Sequence, residues 1–167
     1  MNTTEATQDE IAIKGTKISS AKSLGGKYMT FKLADEEYGL EILKVRDVIG
    51  LMDITRVAKN RDYIRGVINL RGKVISVVDL RVKFGMPETN LTDQTVIIVV
   101  QFSSPKGEIT MGILVDEVLE VLSISPENIE PPPDFGSGGM DTDFILGVGK
   151  EGKRIIFLLD IGLVLGS

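Results

Sequence analysis

The feature that most constrains this chain is an internal repeat. When Gly39 is aligned with Gly112, the segments YGLEILKVRDVIGL and MGILVDEVLEVLSI match at apolar and acidic positions. When Gly66 is aligned with Gly147, RGVINLRGKVISVVDL matches LGVGKEGKRIIFLLDI. Two matching pairs in the same order predict two similar folding units, with a chance match of β-rich segments as the alternative. The alignment pairs Ile42 with Val115, Val45 with Val118, Asp47 with Glu120, Val48 with Val121, and Asp79 with Asp160.

The local patterns inside each unit indicate short strands. YMTFKL and YGLEI flank the turn ADEE and predict one hairpin, and TVIIVVQF and EITMGILV flank SSPKG and predict another. The pattern has no helical crossover of a dozen residues, which favours closed barrels over a parallel sheet. We therefore expect an all-β fold of two similar small barrels. Asp79 and Asp160 precede short apolar segments, so we interpret them as helix caps rather than as a catalytic pair.

Two segments are predicted to lie outside the barrels. Residues 1–27 are rich in Thr, Ser, Gly and Lys, which predicts a flexible tail, with order beginning near Tyr28. The stretch PPPDFGSGGMDTD predicts a long loop. The N-terminus has no basic region followed by a long apolar run, and no apolar run approaches the ~18 residues that cross a bilayer, so we expect a cytoplasmic protein.

The composition removes most catalytic chemistry. With no histidine and no cysteine, the chain has no imidazole base, thiolate nucleophile or disulfide. GVGKEGK contains G-x-G-x-x-G, but the following RIIFLL predicts a strand where nucleotide-binding motifs need a helix N-terminus. There is no calcium-binding loop motif, and the serines have no histidine partner. We expect no enzymatic activity, no metal and no cofactor.

The charge distribution gives a weaker signal. The net charge of -5 argues against a protein that mainly binds polyanions. Residues 56–83 nevertheless hold eight basic residues against two acidic ones. This local positive region fits a solvated charge run, a surface for an acidic protein partner or, least favoured with 5% aromatic residues, a small-barrel nucleic-acid-binding protein. The basic residues are Arg56, Lys59, Arg61, Arg65, Arg71, Lys73, Arg81 and Lys83.

Ile42, Val45 and Val48 recur at every third position. Their side chains would fall near one line if this segment were helical or tightly coiled, and Val118 and Val121 repeat the spacing in the other unit. Core packing is the first interpretation. The second is that these residues line a seam between the lobes, forming an apolar groove that can accept an amphipathic helix from a partner.

The bend at Asn69, Leu70 and Arg71 is the other unusual feature. The second copy of the repeat makes this bend with small and charged residues, so the fold does not require a large apolar side chain and an arginine there. Either a partner contacts this bend, or Leu70 and Arg71 pack along the neighbouring lobe.

These residues resemble one family. YGLEILKVRDVI, YIRGVINLRGKVISVVDLRVKFGM, GILVDEVLEVL and RIIFLLDI are similar to the CheW family of bacterial chemotaxis adaptors, from about Tyr28 to Leu165. The resemblance implies that residues 28–167 form one CheW-like domain of two intertwined five-stranded SH3-like β-barrels, with strands exchanged between the lobes. It also implies a protein without catalytic activity or cofactor. Ser76 departs from the family pattern, because many relatives carry proline there.

The resemblance also implies partners. The helical tips of chemoreceptors, the methyl-accepting chemotaxis proteins, would dock in the groove between the lobes, and the regulatory domain of the histidine kinase CheA would bind elsewhere. The protein would be recruited from the cytoplasm to membrane-associated receptor arrays, with no direct membrane insertion and no nucleic acid. Arg71 would belong to a region near both the receptor and the kinase contacts. The groove residues carried over from the family are Met29, Ile42, Val45, Val48 and Val118.

Overall fold

The computed structural model describes residues 25–133 and 142–166, which are mainly strands. Short 3-10 helices at Ile42–Lys44, Pro126–Asn128 and Thr142–Phe144 connect some of them. The strands are Gly26–Leu33 (β1), Glu36–Glu41 (β2), Val45–Gly50 (β3), Ile64–Leu70 (β4), Lys73–Asp79 (β5), Val96–Ser104 (β6), Gly107–Val115 (β7), Glu117–Ile124 (β8), Ile129–Glu130 (β9), Ile145–Glu151 (β10) and Arg154–Leu159 (β11); the α-helices are Leu80–Lys83 (α1) and Ile161–Gly166 (α2).

The strands form two sheets, and each sheet is the basis of one barrel-like lobe. Sheet A has the order β9-β10-β11-β2-β1-β8, and sheet B has the order β3-β6-β7-β5-β4. The β1-β2 hairpin of the first repeat lies in sheet A beside strands of the second repeat, while the β6-β7 hairpin of the second repeat lies in sheet B. The two repeats thus exchange their first hairpins, which confirms the expected pair of intertwined β lobes. Sheet A has six strands rather than five because the two-residue strand β9 joins its edge.

Parallel pairing joins each exchanged hairpin to its new lobe. Gly39 of β2 pairs with Leu158 of β11, and Gly112 of β7 pairs with Val77 of β5. A Cβ atom at Gly112 would lie 2.8 Å from Cγ2 of Ile97, and one at Gly39 would lie 3.0 Å from Cδ2 of Leu158. Gly39 therefore leaves room for the parallel partner strand β11, and Gly112 leaves room for Ile97 on β6, the other strand of its own hairpin.

The largest hydrophobic core lies between the two sheets. Phe31 and Tyr38 contribute to it from sheet A, and Ile98, Val100 and Ile113 contribute from sheet B, all fully buried. Each lobe also has a smaller core on the other face of its sheet. In lobe A this core contains Tyr28, Ile124, Ile129, Ile156 and Leu158; in lobe B it contains Ile68, Ile75, Val77, Ile97, Val99 and Leu114.

The predicted hairpins and boundaries mostly agree with the structure. β1 pairs antiparallel with β2, and β6 with β7, as predicted. GVGKEGK includes the hairpin turn between β10 and β11, where Gly152 has φ of 62°. β1 begins at Gly26, two residues before Tyr28; residues 1–24 of the predicted tail and 134–141 of the predicted loop lie outside the described residues. Within the described ranges, no helix is long and apolar enough to cross a bilayer.

The two aspartates paired by the repeat both cap helices, as predicted. A side-chain oxygen of Asp160 accepts a hydrogen bond from the Leu163 N–H (3.2 Å), and one of Asp79 accepts from the Arg81 N–H (3.1 Å). Asp79 is 1% exposed and also accepts from Arg65 Nη1 (2.8 Å) and from both the N–H and the hydroxyl of Thr89. This carboxylate therefore also anchors β4 and the loop after α1.

This difference between equivalent residues gives a prediction for stability. Asp79→Ala removes the buried partner of Arg65, whose side chain is only 15% exposed, and leaves it the longer contact to Glu88 (3.4 Å), so the free energy of unfolding should fall by about 3 kcal/mol. Asp160→Ala, the matched control, removes only a cap and should cost about 0.5–2 kcal/mol. Urea denaturation of both variants measures the two values, and equal losses would contradict this assignment.

Candidate functional site

The core between the lobes reaches the surface along two edge strands, β3 of sheet B and β8 of sheet A. Ile49 packs against the small core of lobe B, so its neighbour Val48 points to the opposite face, toward the inter-lobe core. On β8, Leu122 packs against the small core of lobe A, and Val121 points the other way for the same reason. Valines at equivalent repeat positions thus line both edges.

Exposure increases from this core toward the two edges. Val45 and Val118 are half-buried against the inter-lobe core, whereas Val48 is 36% and Val121 is 47% exposed. Met29 lies opposite Val121 in the β1-β8 ladder and packs against the same core. We call this surface the cleft; its residues are Met29, Ile42, Val45, Val48, Val118 and Val121.

The helix-like spacing of the cleft residues in the sequence does not correspond to an α-helix in the structure. Residues 45–50 form a strand, and the ladder passes from Val45 opposite Val100 to Asp47 opposite Val99, which is a β-bulge. The extra residue places Val45 and Val48 on one face. Ile42 belongs to a 3-10 turn, in which positions three apart eclipse each other, so it aligns with Val45. A turn followed by a bulge therefore reproduces a three-residue spacing without a helix.

An acidic residue lies at the bulge of each edge strand and forms an ion pair with an arginine. Asp47 contacts Arg71 Nη2 at 3.2 Å, and Glu120 contacts Arg154 Nη1 at 2.7 Å. Asp47 and Glu120 are equivalent in the repeat, and the arginines lie at the hairpin turns between β4 and β5 and between β10 and β11. Each edge strand is therefore tied to a hairpin of its own lobe.

In the bend at 69–71, two residues have structural contacts and the third is exposed to solvent. The Asn69 side chain accepts from the Gly72 N–H (2.9 Å), and Leu70 packs against the small core of lobe B. The Arg71 side chain is 78% exposed, and its backbone has φ of 53°, where the second copy has Gly152. Asn69 and Leu70 thus have partners within their own lobe, while Arg71 presents its guanidinium to solvent from a left-handed conformation that favours glycine.

Some of the basic residues in the region predicted from the sequence have partners within the chain, and others are exposed to solvent. Arg65 and Arg81 form half-buried ion pairs with Asp79 and Asp116, and the Lys83 ammonium lies 4.1 Å from the centre of the Tyr63 ring. Burial tends to raise the pKa of Asp116, but hydrogen bonds from Arg81 and from the Ala34 N–H outweigh it and leave the pKa lowered. The two ion pairs neutralise the charges of Arg65 and Arg81, whereas the ring contact leaves the charge of Lys83 in place. Five of the eight, Arg56, Lys59, Arg61, Arg71 and Lys73, are exposed.

Sequence reasoning missed two exposed apolar features. Leu43 is 85% exposed and lines a pocket of about 340 Å³ with Tyr28 and Ile42. In the repeat, Leu43 aligns with Asp116, and an apolar residue where the other copy has a structural acid was the available signal. The second feature is a pocket of about 440 Å³ on lobe B, lined by Leu51, Met52, Asp53, Ile54, Arg56, Arg65 and Leu91.

The titratable groups of the site are not arranged for acid–base chemistry. Burial, followed by the negative charge of Glu41, raises the pKa of Tyr28 to about 12, so its hydroxyl stays protonated at neutral pH. Across residues 25–133 and 142–166, no group of three or more acidic residues is placed to hold a metal ion. What the cleft offers is apolar surface bordered by charged residues, which suits binding.

Comparisons with known proteins agree with this geometry. Residues 27–167 match the family model of the CheW-like domain. The chain is 39% identical to the chemotaxis protein CheW of Klebsiella aerogenes, over 89% of this chain and 86% of that protein. It is 34% identical to CheW of Bacillus subtilis, over 84% and 87% of the two chains. The crystal structure of the scaffolding protein TtCheW from Thermoanaerobacter tengcongensis superposes with a TM-score of 0.73 at 34% identity, covering 84% of this chain and 88% of that one.

The geometry of Arg71 predicts the outcome of two substitutions. Arg71→Gly removes an exposed ion pair worth about 0–1 kcal/mol but relieves a left-handed backbone that costs roughly 1–2 kcal/mol. Its free energy of unfolding should stay within about 1 kcal/mol of the wild type, and Arg71→Ala should be the less stable of the two. Chemical denaturation tests this order. A loss of several kcal/mol in Arg71→Gly would show that Arg71 is a structural residue.

Proposed function

The chain belongs to the CheW family, and from this premise we propose that it is a non-enzymatic adaptor that couples chemoreceptors to the histidine kinase CheA in signalling arrays. Relatives named as chemotaxis proteins and a structural neighbour named as a scaffold support the adaptor role. The finer proposal concerns the two partners and the surfaces that bind them. The observation that carries it is the cleft, where the core between the lobes is left open along β3 and β8.

We propose that the cleft binds the helical tip of a chemoreceptor. Its apolar side chains lie on two edge strands and on the turn at Ile42, so an amphipathic helix laid between the edges would contact both lobes. Such helices present apolar anchors at i, i+3, i+4 and i+7, and burial of each Å² of apolar surface contributes about 25 cal/mol. Binding would bury the side chains of Val48 and Val121, which are exposed in the free protein.

Arg71 supplies a polar contact beside the cleft in this proposal. Its guanidinium reaches Asp47 on β3, the strand that carries Val45 and Val48, through a single contact at 3.2 Å. Exposed ion pairs contribute little to stability, so a carboxylate from a partner could replace Asp47 at small cost. Charges at the rim of an interface mainly set orientation and association rate, which is the part we assign to Arg71.

The adaptor role also needs a second surface, for the regulatory domain of CheA. If the cleft holds a receptor helix, the kinase must bind an outer face of a lobe so that both partners are held at once. The protein would reach the membrane-associated array through its receptor rather than through a segment of its own. The basic region gives the nucleic-acid alternative no specific support, because Arg65, Arg71 and Arg81 are paired with carboxylates of this chain.

Substitutions at Val45, Val48 and Val118 test receptor binding. Val48→Asp places a charge at the open edge of the cleft, and Val45→Asp and Val118→Asp place it deeper. Each should weaken binding of a receptor-tip fragment by ~2 kcal/mol or more, about thirtyfold, because the charge is desolvated beside apolar surface. Isothermal titration calorimetry measures the change.

The matched control for this test is Val57→Asp. Val57 is 41% exposed, close to the 36% of Val48, but it lies in the segment between β3 and β4 and outside the cleft. It should bind the fragment like the wild type. Val48 is the most informative position, since its exposure separates loss of binding from loss of folding. Unchanged affinity in Val48→Asp and Val118→Asp would exclude the cleft as the receptor site.

A second experiment tests the kinase partner and the nucleic-acid alternative together. The wild-type protein should co-purify with a CheA regulatory domain, and Val48→Asp should co-purify equally well because we place the kinase outside the cleft. On an oligonucleotide resin at low salt, the acidic adaptor should pass unretained. Steep salt-dependent retention on that resin, without kinase binding, would favour a nucleic-acid-binding protein instead.

A further inference from the structure

One arginine in lobe A joins three strands of sheet A. Arg154 at the start of β11 donates to Glu37 on β2 through Nε (3.0 Å) and Nη2 (2.7 Å), and to Glu120 on β8 through Nη1 (2.7 Å). Its side chain is 31% exposed, and hydrogen bonding first to Glu37 and then to Glu120 raises its pKa. The guanidinium group of Arg154 therefore connects the edge strand β8 to the central strands β2 and β11 of sheet A.

The backbone of the same edge residue is held as well. The hydroxyl of Thr30, a fully buried residue, donates to the Glu120 carbonyl (2.7 Å) and accepts from the Glu120 N–H (3.1 Å). Glu120 lies between Val118 and Val121 at the bulge, where the ladder to β1 would otherwise lose contacts. Both the side chain and the main chain of the bulge are thus fixed from within lobe A.

The equivalent edge in lobe B is held differently: Arg46 Nε at the bulge of β3 donates to Gln101 Oε1 on β6 (2.6 Å), and the remaining ties are weaker than those of lobe A. The residue opposite Asp47 is Val99, which has no hydroxyl to bind the bulge. Arg71 reaches Asp47 through one contact at 3.2 Å and is 78% exposed. Lys73, the repeat equivalent of Arg154, is exposed. The two edges of the cleft therefore have similar valines but different supports.

We propose that Arg154 is a positioning residue, which fixes the Val118–Val121 strand as one wall of the cleft. This inference rests on the proposed receptor site for its effect on binding, but not for its effect on the strand itself. Arg154 does not contact the ligand in this scheme. It acts through Glu120, whose neighbours in sequence supply the contact surface.

The test is hydrogen exchange of the free protein combined with titration of a receptor-tip fragment. Arg154→Gln should speed exchange of the amides of residues 118–121 by about tenfold, since local opening of an edge strand needs little free energy once its ties are removed. The exchange of buried β6 amides should not change. Affinity for the fragment should fall by about fivefold, and Arg154→Lys, which keeps the charge but loses the fork, should lie between.

The control is Lys150→Gln. Lys150 also forms an ion pair in lobe A, but with Glu130 on β9 rather than with an acidic residue of β8, so exchange at 118–121 and affinity should both match the wild type. If Arg154→Gln proves unstable, Glu120→Gln tests the same tie with a smaller change. Unchanged exchange at 118–121 in both variants would overturn the proposal. Faster exchange in a protein whose wild type fails to bind the fragment would support the positioning role and refute the receptor site.

Discussion

The inter-lobe core exists because the two repeats exchange their first hairpins. The exchange also builds the small cores, since that of lobe B packs Ile68 of the first repeat against Ile97 and Leu114 of the second. Through the exchange, both sheets contribute a second apolar face to a common layer that includes Phe31, Val100 and Ile113. Gly39 leaves room for Leu158 of the parallel partner strand, which a Cβ atom would approach to 3.0 Å. The common layer reaches the surface at the half-buried residues Val45 and Val118 on the edge strands β3 and β8.

Comparison of the two repeats distinguishes residues that the fold requires from residues that it does not require. Where the copies agree, as at the helix-capping aspartates, the residues satisfy requirements of the fold. Where they differ, one copy carries a feature that the other shows to be unnecessary: Arg71 replaces a turn glycine, and Leu43 replaces the half-buried acid Asp116. Both departures lie beside the cleft. A strained, exposed arginine and an exposed leucine are poor choices for stability, so their location is best explained by contact with a partner.

The sequence predicted the elements better than it predicted their connections. Hairpins, caps and the repeat follow from local patterns, so the residues alone were enough to find them. The exchange of strands came from the family resemblance, because parallel pairing of β2 with β11 joins residues more than 100 positions apart. The bulges were not predicted, and a helix-like spacing at Ile42, Val45 and Val48 was the only trace they left. The ion pair of Arg154 with Glu37 is equally long-range, and no local pattern of residues indicates it.

The form of the two edge strands also decides which kind of partner the cleft can accept. An exposed edge normally invites another strand, and proteins prevent this with bulges and charged residues. β3 and β8 have both: each is bulged, and the bulge carries Asp47 or Glu120 with an arginine beside it. These features disrupt the backbone ladder that an added strand would need. They leave the valine side chains open on the adjoining face, where a helix can bind through side-chain contacts alone. In the proposed receptor site, the same bulges that align the valines would therefore favour a helix over a strand.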